Sequence, residues 1–170
     1  MPEVSPDTAA AEALGRQIKL AVFDVDGVMT DGRLIYNERG EELKAFHSQD
    51  GLGLKRLAAS GVQLGVITGR DNPVVAHRMR ELGIERVVAG CETKDEALRA
   101  MAEELKVPLS QVAFMGDDVI DIPAMELAGL AATVPNAHAS ALAVADWVAP
   151  RPGGAGGVRD FCDWLMGLLT

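Results

Sequence analysis

Cysteine is scarce in this chain: 170 residues carry two, Cys91 and Cys162, and they share no CxxC spacing. That excludes a disulfide framework and a cysteine-bound metal, and leaves two reduced, buried thiols in a cytoplasmic protein as the expectation. The three histidines, His47, His77 and His138, share no metal-ligand spacing, so zinc is not indicated. Basic residues are outnumbered, 16 against 25 acids, for a net charge of −9. Broad binding to a phosphate backbone, which needs Lys and Arg to displace counterions, is excluded. A small anion held in a locally basic pocket is not. No apolar run approaches the ~18 residues of a membrane span. Residues 1–17 hold acids, alanines and two prolines, with neither a basic start nor an apolar stretch. A tail or a short helix is expected there rather than a signal peptide.

The rest of the composition is that of a soluble globular domain, 48% apolar and 24% charged. Its length suits one domain, 18–170, burying about 70% of its unfolded surface. From residue 18 onward strand-like and helix-like segments alternate. Strands are expected near 19–24, 62–67, 86–89, 111–115, 129–134 and 146–149. Helices are expected near 50–60, 73–83, 94–106, 119–128, 138–145 and 157–169. This order predicts an α/β fold, a Rossmann-like parallel sheet with helices on both faces and ligands beyond the carboxyl ends of the strands. Residues 33–46 break the pattern as a small β-hairpin inserted after the first strand, turning at Asn37-Glu38-Arg39-Gly40. Residues 150–157 (PRPGGAGG) read as a mobile, glycine-rich link before the last amphipathic helix. They lack the spacing and βαβ setting of a dinucleotide loop.

Acids cluster where they repel one another. Asp24 and Asp26 follow the apolar run 18–23, and Asp117, Asp118 and Asp121 follow the run 112–116. Two unit charges ~4 Å apart at an effective dielectric of roughly 20 cost about 4 kcal/mol. Carboxylates at the ends of neighbouring buried strands therefore call for a cation, and an all-oxygen shell suits Mg²⁺. Two acids two residues apart in a turn allow one to attack while the other handles protons. Gly27 permits that turn. Thr68, at the end of a second strand, offers a hydroxyl beside backbone N–H groups that could grip phosphoryl oxygens. Thr93-Lys94-Asp95-Glu96 has capping-box spacing, which puts Lys94 in a first helical turn. The helix dipole opposes a cation there, so an anionic neighbour is expected.

The order DxDGV at 24–28, TGR at 68–70, Lys94 and GDDxxD at 116–121 resembles the haloacid dehalogenase superfamily of phosphotransferases. DG at 31–32, GEELKAF at 40–46, DG at 50–51, LGI at 82–84 and the glycine-rich tail are similar to its capless phosphatases of 3-deoxy-D-manno-octulosonate 8-phosphate. The resemblance implies a Mg²⁺-dependent phosphatase of lipopolysaccharide biosynthesis. In it Asp24 is the nucleophile that becomes an aspartyl phosphate. Asp26 protonates the leaving oxygen and then activates water. Mg²⁺ is held by Asp24, the backbone carbonyl of Asp26, and Asp117, with Asp118 and Asp121 behind them. Thr68 and Lys94 bind the phosphoryl group. His47, Ser48, Gln49, Asp50, Gly51, Lys55, Arg70 and Arg78 face the sugar acid, His47 and Lys55 departing from the family's Asn and Arg.

Forty-three residues separate Asp24 from Thr68, twenty-five separate Thr68 from Lys94, and twenty-two separate Lys94 from Asp117. None of these gaps holds a cap domain. The hairpin and the tail from Arg151 to Arg159 remain as covers, so truncation after Pro152 is expected to disturb product release or substrate affinity more than folding. Relatives of this type are homotetramers in which a neighbour's hairpin and tail close the crevice, and the same is expected here, with no nucleic-acid or membrane partner. Two alternatives stay open at this point: a sialic-acid-type 9-phosphate phosphatase, and a phospho-aspartate receiver domain.

Overall fold

The computed structural model describes residues 8–169. Residues 1–7 of the expected N-terminal tail lie outside them, and α1 (Thr8–Gly15) follows, with Ala11 and Gly15 buried. Six strands form the main sheet: β1 (Leu20–Phe23), β4 (Gln63–Ile67), β5 (Arg86–Val88), β6 (Val112–Met115), β7 (Leu130–Thr133) and β8 (Trp147–Val148). Their spatial order is β5-β4-β1-β6-β7-β8, and every pair is parallel. The hairpin is β2 (Ile35–Tyr36) antiparallel to β3 (Glu42–Leu43). The helices are α2 (Ser48–Ala59), α3 (Pro73–Leu82), α4 (Lys94–Glu104), α5 (Ile122–Leu127), α6 (Ala139–Val144) and α7 (Gly157–Leu169). The expected α/β architecture is thus the observed one.

β1 is buried on both faces, as a central parallel strand must be. Its side chains alternate, and the alternation divides the core. Ala21 and Phe23 enter the cluster beneath α2, α3 and α7, whereas Leu20 and Val22 enter the cluster beneath α4 and α5. Phe23 meets Phe161 of α7 edge-on at 5.9 Å between ring centroids, and Trp147 and Trp164 complete that aromatic group. The chain leaves β1 with β4 on one side and β6 on the other, both in register with Phe23. This is the switch point of the sheet, and it sets the turns after the three strands side by side.

Three expectations need correction. Thr93 occupies the N-cap position of α4 but makes no side-chain cap bond, since its φ −95°, ψ 72° departs from the extended backbone that aims a cap. A reciprocal capping box forms instead between Asp118 and Asp121, on a 3₁₀ turn at Val119–Asp121. Second, α7 is a core element: Val158, Phe161, Cys162 and Leu165 are buried, so cutting after Pro152 would remove packing and not merely a cover. The preceding glycine stretch is itself packed, because a Cβ on Gly153 would lie 1.9 Å from the Gly27 carbonyl oxygen. Gly154 also donates its N–H to Val28. Third, Cys162 is buried but Cys91 is only partly so. Burial pushes the Cys162 thiol well above its usual pKa.

Candidate active site

Asp24 is the first residue past β1, held there by donating its N–H to the Met115 carbonyl (2.9 Å). The chain then turns tightly, with the N–H groups of Val28, Met29 and Thr30 all directed at the Val25 carbonyl. Gly27 is required twice in this turn. Its φ is +88°, and a Cβ would sit 1.9 Å from Asp117 Oδ2. The Asp117 carboxylate therefore rests against the bare Cα of Gly27. Across the sheet, Gly116 is held by the Thr133 hydroxyl, which donates to its carbonyl at 2.6 Å.

Lys94 is the charged centre. Its side chain is 1% exposed, and its Nζ lies 2.6 Å from Asp121 Oδ1 and 2.9 Å from Asp24 Oδ1. Burial works against its charge, yet the two carboxylates outweigh burial and raise its pKa. The other oxygen of Asp121 accepts from the N–H groups of Asp117 (2.9 Å) and Asp118 (3.1 Å), which locks that turn. Thr68 is fully buried, anchored by its N–H to the Val88 carbonyl, and shares the crevice with Asp24 and Lys94.

Carboxylate oxygens of Asp24, Asp117 and Asp121 lie within 4.8 Å of one another. Burial, and then the Asp121 charge, push Asp24 up to about 7 despite Lys94. Burial, and then the Asp24 charge, push Asp117 up to about 8. Among the described residues no cation pairs with Asp117. Asp121 already spends its oxygens on Lys94 and backbone N–H groups, so Asp24 and Asp117 face each other with one positive charge too few. An all-oxygen donor set with that deficit fits a hard divalent cation such as Mg²⁺.

The crevice is about 210 Å³, and Asp24, Asp26, Thr68, Arg70, Lys94, Asp117 and Asp118 all line it. Every sequence-predicted catalytic and metal residue thus meets in one place, and Asp121 stands directly behind. Most expected sugar-acid contacts do not join them. His47 is the N-cap of α2, its Nδ1 accepting from the Gln49 N–H, and Ser48 starts that helix. Gln49 accepts from Arg151 at 2.8 Å. Gly51 is buried, and Lys55 is exposed on α2. Arg78 stacks over Phe46 and pairs with Glu81. Asp50 is 2% exposed and accepts from the Arg159 N–H at 2.9 Å, so it stabilises the start of α7 and does not face the crevice.

Sequence reasoning missed Lys44, Glu42 and Asn72. The Lys44 ammonium, 2% exposed, donates to Asp26 and to Glu42. Glu42 also accepts from Asn72 (2.9 Å) and Arg70 (3.1 Å). Hydrogen bonding from Lys44, aided by Asn72 and Arg70, holds its carboxyl down at about 2. The available signal was an acid and a lysine two residues apart, on one side of a strand.

Comparison with known proteins agrees with this geometry. A model of the haloacid dehalogenase-like hydrolases matches residues 40–129. The 3-deoxy-D-manno-octulosonate 8-phosphate phosphatase KdsC of Escherichia coli K12 is 39% identical over 95% of this chain and 86% of its own. The chain belongs to the haloacid dehalogenase-like hydrolases. The structure of the phosphatase of that name from Moraxella catarrhalis, in complex with magnesium ion, phosphate ion and KDO, superposes with a TM-score of 0.93. It is 40% identical and covers 95% of this chain and 92% of that one. The cobalt-bound Haemophilus influenzae phosphatase superposes with a TM-score of 0.89 at 35% identity, covering 92% and 91% of the two chains. With this family and phosphatase relatives at 39% identity over most of the chain, the chain is a phosphatase, and the receiver alternative falls.

Proposed function

We propose that this hydrolase releases phosphate from 3-deoxy-D-manno-octulosonate 8-phosphate by way of an aspartyl phosphate on Asp24. The observation that carries the reading is the convergence of Asp24 from the end of β1, Asp117 from the end of the neighbouring β6, and Lys94 from the start of α4. The names of the relatives, and the KDO bound in the Moraxella neighbour, support the choice of sugar.

Asp24 attacks phosphorus while Lys94 and Thr68 hold the phosphoryl oxygens. Asp26 gives its proton to the departing sugar oxygen. It then takes one from the water that attacks phosphorus, which frees phosphate and restores the Asp24 carboxylate. Asp24, the Asp26 carbonyl and Asp117 would hold Mg²⁺, which when bound would supply Lewis-acid stabilisation of charge on the transferring group. Arg70, at the mouth, provides a cation for the carboxylate of the sugar acid.

The crevice is smaller than the roughly 300–1,000 Å³ that encloses a drug-sized ligand, so the sugar projects beyond it. That accords with a homo-oligomer, in our reading a tetramer, in which a neighbour completes the pocket. The exposed apolar side chains of the hairpin and the placement of His47, Lys55 and Arg78 away from their own crevice support it. Unpaired cysteines accord with a cytoplasmic location. No helix among the described residues is long and apolar enough to cross a membrane.

The test is phosphate release across a panel of sugar phosphates with Mg²⁺ present. The highest kcat/KM is expected for the eight-carbon 3-deoxy acid. A higher value for a nine-carbon sialic-acid-type 9-phosphate would reassign the substrate, and no release from any phosphomonoester would refute the reading.

A further inference from the structure

We infer that Lys44 is the positioning residue of Asp26: an ammonium delivered by the hairpin holds the proton-transferring carboxylate at the mouth of the crevice. The inference rests on the phosphatase reading above.

Lys44 lies just past β3, and its side chain is 2% exposed. Removing an ammonium from water costs several kcal/mol, so such a side chain stays in place only where its hydrogen bonds are well met. Here they are met by two carboxylates, Asp26 Oδ1 and Glu42 Oε1. Glu42 is in turn fixed by Asn72 and Arg70 through its other oxygen. Asn72 is not free to move either, because its Oδ1 caps α3 by accepting from the Val74 N–H at 2.9 Å. A continuous series of polar contacts therefore runs from the start of α3 through Asn72, Glu42 and Lys44 to Asp26. Among the described residues, the bond from Lys44 is the one that engages the Asp26 carboxylate.

Asp26 needs such a hold. It sits in a turn, 22% of its side chain reaches solvent, and it lines the crevice. A group that transfers a proton must come within about 2.6–3.2 Å of the receiving atom. Fixing one oxygen of a planar carboxylate orients the other. As the phosphorus–oxygen bond to the sugar breaks, the proton on Asp26 passes to that oxygen. Lys44 neither gains nor loses a proton in the step.

The experiment exploits the leaving group. A sugar alkoxide is a poor leaving group and depends on the proton, whereas p-nitrophenolate departs without one. Lys44→Met is measured on the sugar phosphate and on p-nitrophenyl phosphate, beside wild type and Asp26→Asn. Glu42→Gln/Lys44→Met is measured as well, since it removes the more buried of the two carboxylates that the single variant strands and separates misfolding from misplacement. The ratio of sugar-phosphate to aryl-phosphate kcat/KM is expected to fall about 10–100-fold in both variants, below the full effect of general acid catalysis. The loss should lie in kcat for the sugar phosphate, and Asp26→Asn should shift the ratio the same way. Equal fractional losses on both substrates would overturn the inference, and so would a loss confined to KM for the sugar phosphate. Wild-type activity on the sugar phosphate, measured in the panel above, shows separately whether the underlying reading stands.

Discussion

Lys94 carries its charge into a place with almost no water, and two carboxylates answer for it. Breaking a buried pair by deleting one partner costs about 3–5 kcal/mol, because the remaining charges stay buried without a counter-ion. Lys94→Met should therefore lower the melting temperature by on the order of 10 °C. It should also reduce turnover by more than about 10²-fold, the scale of losing a charge-stabilising group. Thermal denaturation and steady-state kinetics check both, and a wild-type melting temperature would contradict the ion-pair argument. Lys94 was legible beforehand because a lysine opening a helix sits against the dipole. Lys44 was not, because its partner Asp26 lies 18 residues away and meets it only when the hairpin folds back. Asp50, which the resemblance put against the sugar acid, is covered by α7 for a related reason: the contact joins segments 109 residues apart.

The hairpin is an element that could not stand alone, since β2 and β3 have two residues each and isolated hairpins are marginal in water. Polar contacts tie its inner side to the crevice through Lys44, Glu42 and Arg70. Leu34, Ile35, Tyr36 and Leu43 are each 45–53% exposed. These side chains are where the proposed oligomer would make its contacts. Ile35→Glu/Leu43→Glu should shift the protein toward monomer in light scattering and raise KM for the sugar phosphate, with little change in monomer unfolding. A wild-type protein that is already an active monomer would remove the oligomer from the proposal. The helix α7 teaches the opposite lesson. Its amphipathic pattern was visible, but that it seals the core against Phe23 and Trp147 was not.

At the scale of the whole molecule, acids outnumber bases for a net charge of −9, and three of the acids, Asp24, Asp117 and Asp121, meet at the switch point of the sheet. Without a bound cation, Asp24 and Asp117 are raised from 3.8 to about 7 and about 8. The folded chain thus holds protons that the unfolded chain has released. Stability from this source is complete below about pH 4 and is lost as pH rises through 7 to 8. A divalent cation relieves the same repulsion. Mg²⁺ should therefore raise the melting temperature more at pH 8 than at pH 5.5, and a chelator should reverse the shift. Equal shifts at both pH values would show that the ion binds elsewhere.

The alternation of strands and helices, their places along the chain and the position of Asp24, Thr68 and Asp117 at strand ends could be read from local pattern. Apolar runs ending in acids place those acids at strand ends, and a parallel sheet brings its strand ends together. The Lys44–Asp26 contact, the burial of Asp50 and the seating of the glycine stretch on Gly27 belong to the folded chain alone. Each depends on which surfaces of distant segments come into contact, and periodicity along the chain carries no information about that.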